Sequence, residues 1–417
     1  MSPLILSAGQ QAAFDAIVAF LLDPIEPVFV LGGYSGTGKT TLVRHLMDQL
    51  PNINKTLKLI NPSATDRQIQ LTATTNKAAE AFAHITGQEV RTIHSFLGLR
   101  VETNYRTNET TLTVRDHRDV KSNYLLLIDE ASFIDPALLG MIFSQTRHCK
   151  ILFMGDPAQL KDFKCSSGTP PVFAAGFPGV TLTEVMRQAK GNPIQDLSTQ
   201  FRETVNTGEW FQFQPDGHHI HHLSRADFDA AVLAEFSRPD WCYHDSKFLA
   251  WTNKTVIRYN KALQDKIKGT PDFQDGDYAV CNSFLKIGRY GIKTDAMVHL
   301  THVGLPCVEE GVPGRFVEVD HTAQVFLPDS LQAMNTRLKQ AKEEGEYHLV
   351  QCISEEWGDF RAAYAQTVNK SQGSTYGKVF IDLDDISKCN SGNTIARMLY
   401  VGISRAQHTV YMTGDLA

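Results

Sequence analysis

The sequence predicts an α/β fold built on two parallel sheets, and three observations predict it. Short apolar runs at residues 28–31, 70–73, 124–128 and 151–154 end in polar or charged residues, as buried parallel strands do at their carboxyl edge. Helical patterns at 77–85 and 136–145 lie between them, and the alternation returns later with strands at 247–251, 378–383 and 409–412 and helices at 255–266 and 396–401. A glycine-rich loop joins the first strand to a helix-like stretch, which is the local order of a phosphate cradle.

That loop reads Gly33-Tyr34-Ser35-Gly36-Thr37-Gly38-Lys39-Thr40-Thr41. Small residues let the chain turn so that successive N–H groups point inward, and the helix start adds positive potential. The pattern assigns Gly33, Ser35, Gly36, Thr37, Gly38, Lys39, Thr40 and Thr41 to nucleotide binding. In it Lys39 reaches the β- and γ-phosphates and Thr40 offers a hydroxyl to Mg²⁺. Residues 99–123, threonine-rich and alternating, predict an exposed hairpin inserted in the first unit. The strand at 124–128 then delivers Asp129 and Glu130. Beside a phosphate cradle, this pair suits a Mg²⁺ ligand (Asp129) and a base for the attacking water (Glu130). The next strand ends in Gly155-Asp156-Pro157-Ala158-Gln159, where the Gln159 amide can contact the γ-phosphate or the water. In the second unit, residues 277–348 carry short β-like runs and a charged helix at 331–345, which predicts a small β-rich insertion.

Length and charge bound the partners. A chain of 417 residues exceeds one comfortable core, and its net charge of -6 excludes a generally basic coat, so any nucleic-acid site must be local. Seven scattered cysteines without a C-x-x-C pair fit a reducing, cytoplasmic setting. Neither export nor membrane insertion is expected from the opening residues or from any later apolar run.

Taken in order, these motifs resemble a superfamily 1B helicase of the RecD-like, 5′-to-3′ group that includes the phage Dda helicase. The resemblance spans residues 6–411. It runs from Gln10 through the glycine loop, Thr72-Ala73-Thr74-Thr75-Asn76-Lys77, Thr92-Ile93-His94, Asp129-Glu130 and Gly155 to Gln159. It continues through Leu182-Thr183-Glu184-Val185-Met186-Arg187, Trp251-Thr252-Asn253-Lys254, Thr367-Val368-Asn369-Lys370-Ser371-Gln372-Gly373 and Tyr400-Val401-Gly402-Ile403-Ser404-Arg405-Ala406.

The resemblance implies two RecA-like sheets: a first domain at 1–175 with a pin hairpin at about 96–123, and a second at 176–276 and 349–417. Residues 277–348 would form an SH3-like accessory insertion. It implies ATP and Mg²⁺ as cofactors, Gln10 reading the adenine edge, and Lys39, Asp129, Glu130, Gln159, Arg187 and Arg405 in the chemistry. The two arginines answer to the γ-phosphate, a task suited to a planar and always charged group. Strand contacts fall on Thr75, Asn76, Lys77, Thr92 and His94, and on Asn253, Lys254, Thr367, Lys370 and Ser371.

The expected activity is ATP-driven translocation 5′ to 3′ on single-stranded DNA, with unwinding of forked duplexes in replication, recombination or repair. An RNA or hybrid helicase, or an ATP-switched clamp that does not unwind, are the alternatives. The expected protein is a monomer, partnered with single-strand-binding or replication proteins and free of membranes, in a bacterial cell or a phage-infected host. Three features are expected to carry no chemistry: the histidine run at 218–222, the acidic group Asp382, Asp384 and Asp385 read as a solvated turn, and Cys165.

Overall fold

The computed structural model describes residues 6–34, 36–104, 109–114, 116, 119–160, 169–184, 191–288 and 290–416. Ser35, Tyr105, Cys165 and Arg187 lie outside the described residues. The chain packs as two units, one of Met1–Glu102, Thr111–Phe213 and Ser391–Ser404, the other of Thr103–Thr110, Gln214–Asn390 and Arg405–Ala417.

In the first unit six parallel strands stand in the order Gly179–Leu182, Val28–Gly33, Lys150–Gly155, Tyr124–Asp129, Gln68–Ala73, Arg91–Thr92. Val28–Gly33 and Lys150–Gly155 are buried along their whole length, which is why residues 28–31 and 151–154 read as unbroken apolar runs. Alternate residues feed two cores. Leu31, Leu127 and Leu152 meet Ile17, Leu42, Leu46 and Phe82 on one face. Val30, Ile128 and Phe153 meet Ile93, Leu138 and Ile142 on the other. The register brings the strand ends level, with Gly32 opposite Gly155 and Ala73 opposite Asp129. Every motif that follows a strand in this sheet therefore emerges at one edge.

The second unit repeats the plan with parallel strands in the order Ile220–Leu223, Ala406–Thr413, Tyr376–Asp382, Ser246–Ala250, Ala365–Thr367. Its core is aromatic, with Phe228, Phe236, Phe248 and Phe380 packed beside Tyr364 and Tyr411. The two sheets make this an α/β protein of two RecA-like units. An antiparallel sheet of Ala323–Pro328, Val312–Val319, Met297–Glu309, Asp277–Cys281 and Phe360–Arg361 lies in the same unit. The β-rich insertion thus draws its last strand from beyond residue 348. Trp357 and Ile353 close a separate apolar cluster with Val312 and Phe326.

Helices Pro193–Thr207 and Gly392–Ile403 pack with the first unit, although the ranges drawn from motifs place both in the second. Their apolar faces, with Ile194, Leu197 and Phe201 on one and Ile395, Met398 and Leu399 on the other, are buried, and Asn393 Nδ2 donates to Val205 O at 3.0 Å. The strands Leu99–Asn104 and Glu109–Val114 pair as a two-stranded sheet, where the hairpin was expected. Among the described residues no helix is long and apolar enough to cross a membrane.

Candidate nucleotide and nucleic-acid sites

The glycine loop turns into the helix Lys39–Ile60 at Gly38, whose φ of 81° lies in the left-handed region open to glycine. A Cβ at Gly38 would also stand 2.4 Å from Gln10 Nε2, so a side chain here would push the Gln10 amide off its place. No side chain caps this helix, which leaves its first N–H groups for an anion. Lys39 Nζ donates to Gly33 O at 2.6 Å and Tyr34 O at 3.0 Å, so its charge stands inside the loop. Thr37 is buried and donates to Tyr34 O at 2.9 Å. Thr40 and Thr41 occupy the first turn of the helix, and Gly36 continues the turn with a φ of 80°.

Gln10 is buried, and both arms of its amide are engaged. Its Oε1 accepts from Ser7 N at 3.0 Å in a capping box that starts the helix Ala8–Leu22, and its Nε2 donates to Thr37 O at 3.1 Å. The residue therefore ties the first helix to the phosphate loop. An adenine edge would have to share that amide with Ser7 and Thr37.

Asp129 ends its strand, and its carboxylate accepts from Glu130 N at 2.9 Å. Burial pushes this carboxyl up, while that N–H and the Lys39 charge pull it down, with burial prevailing. Glu130 has a φ of 54°, rare for a residue with a side chain, and begins the short turn Ala131–Phe133. Strain of this kind gathers at functional positions. Lys39, the start of a helix without a side-chain cap and Asp129 together form a set that fits a nucleotide with a divalent cation.

Gln159 is held by a network that sequence reasoning missed. Asp156 is fully buried and accepts from Ala158 N at 2.9 Å, from the Tyr400 hydroxyl, and from Arg202 Nη2 at 3.4 Å. Arg202 in turn lies with its guanidinium carbon 3.5 Å from the ring centre of Tyr34, a residue of the phosphate loop. Arg397 donates to Pro157 O at 2.6 Å and Gln159 O at 2.7 Å, clamping the turn that carries Gln159. Arg202 gave no signal in the sequence because its partners lie far along the chain.

The expected strand contacts divide into those at a sheet edge and those turned inward. Thr75 and Thr92 follow adjacent strands and cap short helices, accepting from Ala78 N and Ser95 N at 3.2 Å each. Asn76 and Lys77 form the first turn beside Thr75, and His94 stands two residues after Thr92. Burial lowers the His94 imidazole, which favours a neutral hydrogen-bonding ring. In the second unit, Asn253 and Lys254 are exposed at the start of the helix Asn253–Lys268, and Thr367 caps the helix Val368–Ser371.

Two of the set depart from expectation. The Ser371 hydroxyl is fully buried and donates to Val368 O at 2.6 Å, so it is not presented to a strand. Lys370 is ion-paired with Asp295 at 2.8 Å. Arg405 is also buried, donating to Ser374 O at 3.1 Å within the second unit.

Of the acidic group, Asp384 is exposed, as a solvated turn would have it, whereas Asp382 and Asp385 are buried, contrary to expectation. Asp385 is 1% exposed and accepts from Trp251 N, Thr252 N and Oγ1, Thr255 Oγ1 and Lys388 Nζ, at 2.7 to 3.0 Å. It thereby holds the turn that delivers Asn253 and Lys254. Asp382 is 2% exposed and takes a two-point contact from Arg225 at 3.0 and 2.8 Å. The histidines are spent locally: His219 faces Asp216 at 3.1 Å, His222 meets Gly414 O at 2.8 Å, and His221 stacks on Tyr411.

Residues 5–225 match the AAA domain family, and residues 362–413 match the UvrD-like helicase C-terminal domain. The chain is similar in fold to a Pif1 helicase from Bacteroides in complex with ADP-AlF3 and ssDNA. That match has 16% identity and a TM-score of 0.51, and covers 100% of this chain and 94% of that one. A structure described as the basis for DNA unwinding at forked dsDNA by two coordinating Pif1 helicases matches with 17% identity and a TM-score of 0.51, covering 98% and 92%. An uncharacterized protein of Acanthamoeba polyphaga mimivirus is 20% identical over 510 aligned residues, covering 95% of this chain and 97% of that protein.

Proposed function

The chain belongs to the AAA-domain family and carries a UvrD-like helicase C-terminal domain, and from that premise of a superfamily 1 helicase we propose that it moves 5′ to 3′ on single-stranded DNA, driven by ATP with Mg²⁺, and unwinds forked duplexes. The observation that carries this reading is the common edge of the first sheet. The glycine loop, Asp129-Glu130, Gln159, Thr75 and Thr92 all emerge where parallel strands end together. A change at the phosphates can therefore reach the strand contacts through one rigid sheet.

Each residue then has a task set by its chemistry. Lys39 and the helix N–H groups hold the phosphates, Thr40 and Asp129 hold the cation, and Glu130 takes the proton of the attacking water. Gln159 senses the γ-phosphate from a turn clamped by Asp156 and Arg397. ATP supplies the free energy when bound, and its loss on hydrolysis resets the grip on the strand.

The 5′-to-3′ direction and the kinship with the Dda-like subgroup rest on the short insertion between His94 and Asp129, where a small hairpin stands. Duplexes with a 5′ or a 3′ single-stranded tail test function and polarity together. Unwinding of the 5′-tailed substrate alone, and only with ATP, is expected. Unwinding of the 3′-tailed one would reverse the direction, and unwinding of neither would remove the helicase reading.

A further inference from the structure

A continuous polar chain runs through the second unit and links the two places where strand contacts are expected. At one end, Lys370 Nζ donates to Asn282 O at 3.0 Å and Oδ1 at 2.7 Å, and pairs with Asp295 Oδ1 at 2.8 Å. Asn282 Nδ2 donates to Asp359 Oδ2 at 2.6 Å, and Arg361 meets the same carboxylate with two contacts of 3.3 Å. At the other end, Arg361 Nη1 donates to Asn253 Oδ1 at 2.8 Å. The chain thus holds two cations, Lys370 and Arg361, and two carboxylates, Asp295 and Asp359.

We propose that Asp295 is a resident counter-ion of the strand site: it occupies the Lys370 ammonium where a backbone phosphate would sit, and single-stranded nucleic acid binds by displacing it. Three observations carry this. Lys370 and Asp295 are 27% and 24% exposed, so the pair is sheltered yet open to exchange from solvent. Asp295 holds a φ of 65° and stands just before the strand Met297–Glu309 of the antiparallel sheet, whereas Lys370 belongs to the short helix after the parallel strand Ala365–Thr367. The carboxylate is thus brought to the lysine by a different sheet. Finally, Asn282 O and Oδ1 hold the ammonium on their own account, so Lys370 keeps its place when the carboxylate gives way. Asp359 lies differently, fixed by Asn282 and by two arginine contacts, and stays.

This inference rests on the strand-contact reading of Lys370. Its signature lies in salt dependence. A phosphate that meets an unpaired lysine sheds its condensed cation, at about 0.7 in the slope of log K against log salt for a single strand, whereas a phosphate that displaces Asp295 frees a carboxylate that keeps a cation beside it, so little net release is seen.

The test measures binding of a fluorescent oligothymidylate to the full chain by anisotropy, over a salt series, for the native protein, Asp295→Asn, Lys370→Ala and the double variant. Asparagine keeps the shape of aspartate and tolerates the left-handed backbone. Asp295→Gly, which suits that φ and removes the side chain, serves as the second variant. Asp295→Asn and Asp295→Gly should both bind about threefold to tenfold tighter at low salt, with a slope steeper by about 0.7. The double variant should match Lys370→Ala. Unchanged or weaker binding in both Asp295 variants, while Lys370→Ala still loses affinity, overturns the counter-ion role and leaves the strand reading intact. If Lys370→Ala binds as the native protein does, the strand reading of that lysine fails, and this inference with it.

Discussion

Replacing Asp385 by asparagine removes the charge that organises the start of the helix Asn253–Lys268. The carboxylate is 1% exposed and faces only donors: two backbone N–H groups, two threonine hydroxyls and the Lys388 ammonium. Burial pushes its pKa up, but these donors outweigh burial and hold it below the usual aspartate range. Asparagine turns one oxygen into an NH₂ group that must point at a donor, so at least one buried donor loses its partner, at about 1–3 kcal/mol each. Removing one side of a buried charged contact costs about 3–5 kcal/mol, and we expect a loss of roughly 3 kcal/mol. With a urea dependence of about 3 kcal/mol per molar, the unfolding midpoint falls by about 1 M. Urea unfolding followed by tryptophan fluorescence is suited to this, because Trp251 donates its own N–H to Asp385. Affinity for an oligonucleotide should fall in parallel, because Asn253 and Lys254 follow that turn. An unchanged midpoint would refute the reasoning, because it would mean that the five donors are satisfied without the charge.

Three further outcomes follow from the site. Glu130→Gln should keep ATP affinity within about twofold of native and slow hydrolysis by at least about a hundredfold, as measured by nucleotide binding and single-turnover phosphate release; native turnover would remove Glu130 as the base. Because Asp129 has its carboxyl raised, and as the proposed ligand it would hold the cation in its ionised form, Mg²⁺ affinity in the presence of ADP should be flat at high pH. As the pH falls, affinity should decline sooner than for an ordinary aspartate; calorimetry at stepped pH checks this, and no decline above the ordinary carboxylate range would contradict it. Ser371→Ala should leave oligonucleotide affinity unchanged and cost about 1 kcal/mol in urea unfolding, since its hydroxyl serves Val368 O; weaker strand binding would return Ser371 to the contact set.

Central strands such as Tyr124–Asp129 and Tyr376–Asp382 were legible because burial on both faces leaves a plain apolar run. Arg91–Thr92 and Ala365–Thr367 were not, being too short to show a period. The phosphate loop was readable because its chemistry is local: Gly38, Lys39 and Thr40 act within one turn. Asp385 and Lys370 misled for the opposite reason. Asp385 draws four of its donors from residues 251–255, and Lys370 meets a carboxylate 75 positions away, so neither partnership leaves a mark in nearby sequence. Arg202 shows the same limit, because only folding brings it between Asp156 and Tyr34. The helix Gly392–Ile403 was legible as the helical pattern at 396–401, but the unit it would join was not, and the helix Pro193–Thr207 was not read from the sequence.

The measurement closest to the central claim is the rate of phosphate release from ATP with and without a single-stranded oligonucleotide. If, as proposed, a single sheet edge serves both phosphate and strand, the oligonucleotide stimulates release strongly and Lys39→Ala abolishes that stimulation. A rate indifferent to added strand would contradict it.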